Sequence, residues 1–197
     1  MIEVELKAVV ADLDSTRRRI EGAGAALRVA GRLEDRRYDR GDRALAGQDH
    51  VLRLRTYRAD REPRASVDWK GPTSFEGGYK QREELSTPVA NAEILGGILE
   101  RLGFVISMAI DREIWQYDLH GAVVRFERYP RMDDLVEVEG VPSAIERAIG
   151  TLGLPRDSFT AERLPSFVRR FEARTGERAA LSDAELAGVV RYDVNDA

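Results

Sequence analysis

Apolar and polar residues alternate from the second position of the chain. In "IEVELKAV", Ile2, Val4, Leu6 and Ala8 share one face, and Glu3, Glu5 and Lys7 share the other. A period of two marks a half-buried strand. The pattern returns at intervals. "HVLRLRTYR" sets Leu52, Leu54 and Thr56 against Arg53, Arg55 and Tyr57, and "ASVDWKG" sets Val67 and Trp69 against Asp68 and Lys70. "YKQREELST" places Lys80, Arg82 and Glu84 on one face. "DREIWQYDL" carries Arg112, "AVVRFERYP" carries Arg125 and Glu127, and "LVEVEG" carries Glu137 and Glu139. Residues 30 to 40 are polar on both faces and read as a strand or an irregular segment.

Helical spacing separates these strands. "ADLDSTRRRIEGAGA" has acids at its start and glycines at its end. "NAEILGGILERLGF" offers Asn91 as an N-cap. Beyond Val141 the chain reads helical, with Pro142 at a favoured first position, and "SDAELAGVV" opens with the capping-box pair Ser182 and Glu185. "TSFEGGYK" reads as a flexible hairpin loop. The "RRR" at 17 to 19 reads as a solvated helix face, and Trp69 and Trp115 fall on the face opposite the charges.

The charged faces share one feature. Exposed strand faces usually carry Thr, Ser and Gln, but these carry almost only formal charges of both signs. Like charges recur at i, i+2 in Glu3/Glu5, Arg53/Arg55 and Glu137/Glu139. Such pairs sit roughly 7 Å apart and repel unless something lies between them. A site for a polyanion and its metal ions explains the arrangement, because acids hold cations while Arg and Lys hold phosphates. Strands with one apolar and one charged face, accompanied by helices, predict an α+β fold. Seven or eight antiparallel strands are expected, and if the sheet closes or nearly closes, as an eight-stranded barrel would, its interior is charged and its apolar outer faces are covered by helices.

Composition narrows the chemistry. The 197 residues include no cysteine and only two histidines, which excludes thiolate sites, cysteine nucleophiles and histidine-rich metal sites. Any metal is left with oxygen ligands, which favours a hard ion such as Mg²⁺ or Mn²⁺. The net charge of -4 argues against nonspecific nucleic-acid binding. There is no apolar run long enough for a membrane span, and the opening strand pattern is unlike a signal peptide, so a cytoplasmic protein is expected. Of 31 basic residues only three are lysines, Lys7, Lys70 and Lys80, and all three fall on the charged faces.

The order of these motifs resembles the CYTH superfamily, the triphosphate tunnel metalloenzymes. "EVELKA" is similar to its ExExK signature, "LRLR" to its RxR strand, and "VDWKG" to its strand ending in Lys-Gly. "QREE", "DREIW" and "LVEVEG" resemble its R-x-E strand, its next basic position and its closing ExE strand. The likeness runs across residues 1 to 140. It implies a triphosphate bound in the tunnel, with Lys7, Arg53, Arg55, Lys70, Arg82 and Arg112 as phosphate-contacting catalytic residues. Lys80 and Arg125 join them as substrate-binding candidates. Glu3, Glu5, Glu137 and Glu139 would hold Mg²⁺ or Mn²⁺, two ions in all, with Glu84 and Glu127 as further metal candidates. Glu127 departs from the family, which has Asp there.

The resemblance further implies a tunnel domain over 1–155 and a C-terminal helical extension over 156–197 packed on it. It implies an enzyme of class IV adenylyl cyclase type, making cyclic AMP and pyrophosphate from ATP. The alternative is a triphosphatase acting on thiamine triphosphate, inorganic tripolyphosphate or a nucleoside triphosphate. A sensor that binds polyphosphate without turnover is the remaining reading. The expected partner is a small-molecule triphosphate, with no nucleic acid and no membrane. Self-association as a homodimer stays open.

Overall fold

The structure, a computed structural model, describes residues 2–58 and 64–193. The first half of the chain holds β1 (Ile2–Val9), α1 (Leu13–Gly22), β2 (Ala26–Arg40), β3 (Val51–Arg58), β4 (Arg64–Lys70), β5 (Ser74–Glu76) and β6 (Tyr79–Val89). The second half holds α2 (Ala92–Arg101), β7 (Phe104–Leu119), β8 (Ala122–Arg128), β9 (Leu135–Glu139), α3 (Pro142–Leu152), α4 (Leu164–Thr175) and α5 (Asp183–Leu186).

Eight strands close into an antiparallel barrel in the order β1-β9-β8-β7-β2-β3-β4-β6, and β6 returns to β1. The ninth, β5, pairs only with β6. Lys80 faces Phe75 on one side and Glu5 on the other, so β5 continues the β4 edge of β6. Closure sends alternate residues inward. Glu5, Arg53, Arg112, Arg125 and Glu137 are therefore buried without being part of an apolar core.

The apolar core lies outside the barrel wall. Leu13 and Ile20 of α1, with Ile145 and Ile149 of α3, cover Leu6, Ala8, Tyr117, Val124, Phe126 and Val138. Leu99 of α2 covers Tyr38 and Leu54. A Cβ on Gly96 would lie 2.9 Å from the Tyr38 hydroxyl, so glycine permits this close approach. Phe167, Val168 and Phe171 of α4 pack on Met108, Ile110, Tyr129 and Leu135. The expected caps Asn91 and Ser182 form, accepting from Ile94 N and Glu185 N, and Asp12 also caps α1 by accepting from Ser15 N. The Glu185 carboxylate accepts from Leu181 N, one residue before the expected Ser182 N.

Two elements differ from the sequence expectation. β2 and β7 are much longer than the alternation suggested and pair along nearly their whole lengths, with irregularities at Leu27/Val29 and Arg37/Tyr38. The outward face of β2 is itself charged, which hides the period of two. Part of that face meets the C-terminal segment through Arg32 and Asp183 at 2.6 Å, while Arg36 meets the buried Asp111 of β7 at 2.7 Å, whose carboxylate also accepts from Asp183 N. The "TSFEGGYK" loop contains strand β5, which turns into β6 through Gly77 and Gly78, both at positive φ. Among the described residues no helix is long and apolar enough to cross a membrane.

Candidate active site

The barrel encloses a lumen lined by ten basic and five acidic side chains. The basic set is Lys7, Arg37, Arg53, Arg55, Lys70, Lys80, Arg82, Arg112, Arg125 and Arg163. The acids are Glu3, Glu5, Asp35, Glu127 and Glu137. Adding Asp68, Glu84 and Glu139, which lie close by, still leaves a cationic excess. A buried surplus of positive charge is costly unless an anion completes it. Trp69 and Trp115 take no part. Trp69 meets the His50 ring edge-on, and Trp115 lies under the guanidinium groups of Arg17 and Arg128.

All three lysines meet in one part of this lumen. Lys7 on β1 contacts Glu5 at 2.8 Å and Glu137 at 2.5 Å. Lys70, the last residue of β4, contacts Glu3 at 2.5 Å and Glu84 at 3.2 Å. Lys80 on β6 also pairs with Glu5. Burial and the Glu5 charge push Glu3 up, but Lys70 and Lys80 outweigh them and hold it below the usual carboxylate range. Burial likewise opposes ionisation of Glu5, which Lys7, Lys80 and Lys70 hold well below that range. Burial pushes Lys80 down to about 8, with Glu5 acting against it and Lys7 and Lys70 adding to it.

The opposite wall is built of arginines. Asp35 on β2 is buried and accepts two bonds from Arg55, at 2.7 and 2.9 Å, and two from Arg112, both at 3.1 Å. Arg53 lies 3.7 Å away. Arg53 itself forks onto Asp68 at 2.9 and 2.7 Å. Glu127 accepts from Arg112 at 2.9 Å, from Arg125 at 3.3 Å and from the Tyr129 hydroxyl at 2.6 Å. Burial opposes ionisation of Glu127, yet Arg112 and Arg125 pull it down to about 2. Burial and the charge of Arg53 push Arg37 down to about 9, against the pull of Asp35. Arg82 donates to the carbonyls of Gly71 at 2.7 Å and Asp49 at 2.6 Å.

The six expected metal acids divide into two groups. Both oxygens of Glu137 are taken, one by Lys7 and one by Arg125. Glu84 is shared by Arg53 and Lys70, and Glu127 by two arginines and a tyrosine. Glu3 and Glu5 are also paired, but with lysines alone. Glu139 faces Glu5 across the β1–β9 ladder. Burial pushes its carboxyl up, and Glu3 and Glu5 add to that push against Arg125 and Lys70. Glu3, Glu5 and Glu139 thus lie near one another as oxygen donors, the type a hard divalent ion takes, with Glu3 and Glu5 also paired to lysines. Among the described residues no three acidic or histidine side chains converge closely enough to hold a metal unaided. Oxygens from a bound phosphate are the natural complement, as is usual for Mg²⁺.

Sequence reading missed Asp35, Arg37, Tyr129 and Arg163 in the lining. Asp35 and Arg37 do stand at i, i+2, but the charged outward neighbours Glu34 and Arg36 masked them. Arg163, at the start of α4, carries no strand signal at all.

Fold and lumen together define a charged tunnel: a closed barrel with its charges inside and its hydrophobic core outside. The CYTH domain model matches residues 1–138, and the chain belongs to that family. A provisionally named adenylate cyclase from Vibrio parahaemolyticus superposes with a TM-score of 0.71 at 16% identity, covering 86% of this chain and 98% of that one. A conserved hypothetical protein from Pyrococcus furiosus gives 0.68 at 18% identity over 84% and 99%. HpAC1 from Hippeastrum, a provisionally named adenylyl cyclase described as having a dominant triphosphatase activity, gives 0.54 at 18% identity over 96% and 97%. At these identities the likeness is one of fold. No curated protein matches.

Proposed function

We propose that this chain hydrolyses a triphosphate held in the barrel lumen, with the phosphates themselves as the recognised group. One observation carries the reading: ten cations surround a lumen whose lining, among the described residues, holds no Asn, Gln, Ser, Thr or Trp side chain. Those are among the groups that read a base or heterocycle. The one aromatic hydroxyl of the lining, that of Tyr129, is spent on Glu127. Charge recognition alone is what the described lining offers.

Arg55 and Arg112 turn their bonded guanidinium edges to the acids and would act on phosphate oxygens as fixed, permanent charges. Lys7, Lys70 and Lys80 supply compact charges near Glu3, Glu5 and Glu139. A divalent ion bound by those three acids would neutralise phosphate oxygens and favour ionisation of the attacking water. Water forms the new bond to the terminal phosphorus, the bridging P–O bond breaks, and the leaving oxygen's charge is offset by the surrounding cations. Positioning and charge neutralisation are the main requirements of phosphoryl transfer.

The test is a product assay. The protein is incubated separately with inorganic tripolyphosphate, thiamine triphosphate and ATP, each with Mg²⁺ or Mn²⁺. Orthophosphate as the product supports hydrolysis. Cyclic AMP with pyrophosphate replaces it with the cyclase reading, and binding without product replaces it with the sensor. Turnover should vanish in EDTA, and full activity after exhaustive chelation would remove the metal from the reading.

A further inference from the structure

Arg163 lies beyond residues 1–138, the segment that carries the family match. It nevertheless lines the lumen, at the N-terminal boundary of α4. It is common to three adjoining cavities: the lumen, a cleft beside Phe75 and Pro165, and a pocket formed with Arg37, Asp49, His50 and Ser107. Arg163 therefore stands at the lumen's mouth, where the C-terminal helices meet the barrel.

What holds it there is Asp49, in the connection between β2 and β3. The Arg163 Nη1 lies 3.0 Å from Asp49 Oδ1. The other carboxylate oxygen accepts from Thr73 N at 2.6 Å. Arg82, reaching from inside the barrel, lies 3.7 Å from the same Oδ1 and donates to the Asp49 carbonyl. Asp49 is itself left-handed, with φ 54, an uncommon conformation that Asp tolerates better than most residues. Burial opposes its ionisation, but the Thr73 N–H and the Arg163 and Arg82 charges hold it below the usual range.

Stability does not explain this pair. The Arg163 and Asp49 side chains are 39% and 32% exposed, and ion pairs that open to solvent contribute little. The charge balance does point to a ligand. One carboxylate serves two guanidinium groups, Arg82 and Arg163, on the edge of a lumen that already holds a cationic excess. An anion entering here meets two arginines with only one acid between them. A terminal phosphate, with more charge and more oxygens than Asp49, is the better partner for both.

We infer that Arg163 is a phosphate-binding residue supplied by the C-terminal helices, held at the lumen's mouth by Asp49 and transferred to the outermost phosphate of a bound triphosphate. The inference rests on the tunnel reading proposed above. It makes residues beyond the family segment part of the substrate site, with Asp49 a competitor for the cation they supply.

The competition predicts opposite signs for two substitutions. Calorimetric titration with inorganic tripolyphosphate, in EDTA so that no turnover intervenes, reads the dissociation constant. Arg163→Gln should weaken binding by roughly tenfold, the usual scale for losing one charge-assisted contact. Asp49→Asn retains an acceptor for Thr73 N, removes the competing charge and should tighten binding by roughly threefold or more. The double variant should resemble Arg163→Gln, and Arg163→Lys should restore part of the loss. If both single variants weaken binding alike, with matching losses of melting temperature, the pair is only a structural clasp and the inference fails. Unchanged binding by Arg163→Gln overturns it as well, while leaving the tunnel reading intact. Wild-type protein that binds no tripolyphosphate overturns the tunnel reading itself, and this inference with it.

Discussion

The lysine wall and the arginine wall of the lumen are built on different terms. On the arginine wall, the buried Asp35 takes two bonds each from Arg55 and Arg112, and the buried Glu127 accepts from Arg112 and Arg125. The forks are planar, permanently charged and fixed before any ligand arrives. On the lysine wall, three ammonium groups converge on Glu3 and Glu5 as point charges, and Glu139 stands beside them with a raised pKa. Here the acids outlast any one partner, and a lysine can exchange a carboxylate for a phosphate oxygen by a small rotation. The difference teaches that one lumen separates two tasks. On the function proposed above, rigid recognition would fall to arginine, and the exchangeable charge that a metal and a reacting phosphate require would fall to lysine. A chain with 28 arginines among 31 basic residues spends its three lysines on the second task.

The largest test strikes the arginine wall. Asp35→Ala leaves Arg55 and Arg112 buried without their shared acid, and breaking such a group typically costs about 3–5 kcal/mol. For a chain of this size that lowers the melting temperature by roughly 10 °C. A loss below about 1 kcal/mol in denaturant unfolding would show that these arginines need no fixed acid, and the contrast would collapse. The next effect is on both walls together. Tripolyphosphate with Mg²⁺ at a hundredfold excess over its dissociation constant should stabilise the fold by about 2.7 kcal/mol. No thermal shift at millimolar ligand would count against a completed site on either wall.

Smaller, and confined to the lysine wall, are two substitutions that should spare the fold. Glu3→Gln keeps shape and removes charge, whereas Lys7→Arg keeps charge and changes shape. Each should cut kcat/KM by at least about tenfold, or roughly 1.4 kcal/mol of transition-state stabilisation. Wild-type kinetics in Lys7→Arg would show that a fork serves as well as a point charge. Unaltered metal dependence in Glu3→Gln would take the first strand out of the site.

The remaining tests are in pH, and the two walls should respond at opposite ends. Glu127 is held at about 2, below its ordinary 4.5. Its contribution to stability is therefore complete above about 4.5 and lost as pH falls towards 2. Lys80, lowered from 10.5 to about 8, works the other way. The folded state disfavours its charged form, so that penalty is present below about 8 and relieved between 8 and 10.5. Over the same interval the lumen loses a cation, so tripolyphosphate affinity should weaken as pH rises through about 8. Lys80→Arg should flatten that limb, and an unchanged limb would assign it to another group.

Much of this site was legible because a strand's period of two sorts residues onto faces without knowledge of its neighbours. Glu3, Glu5, Lys7, Arg53, Arg55, Lys70 and Lys80 declared themselves by alternation, and all line the lumen. Asp35 escaped because both faces of β2 are charged, one for the lumen and one for the docked C-terminal segment. Partnership was not legible in any strand. Glu127, Glu137 and Glu139 look alike in "RFERYP" and "VEVEG", yet the first two are consumed by cations and the third faces other acids.

Local chemistry therefore accounts for which residues face inward, where helices begin and that the interior must be ionic, because periodicity and capping act within a few residues. Closure of the barrel decided the rest. Only when β6 returns to β1 do Lys80 and Glu5 meet, and only when α4 packs on Ile110 and Tyr129 does Arg163 reach Asp49. Contacts between residues 75 or 114 positions apart depend on register and packing across the whole fold, and electrostatic energy depends on those distances rather than on spacing along the chain.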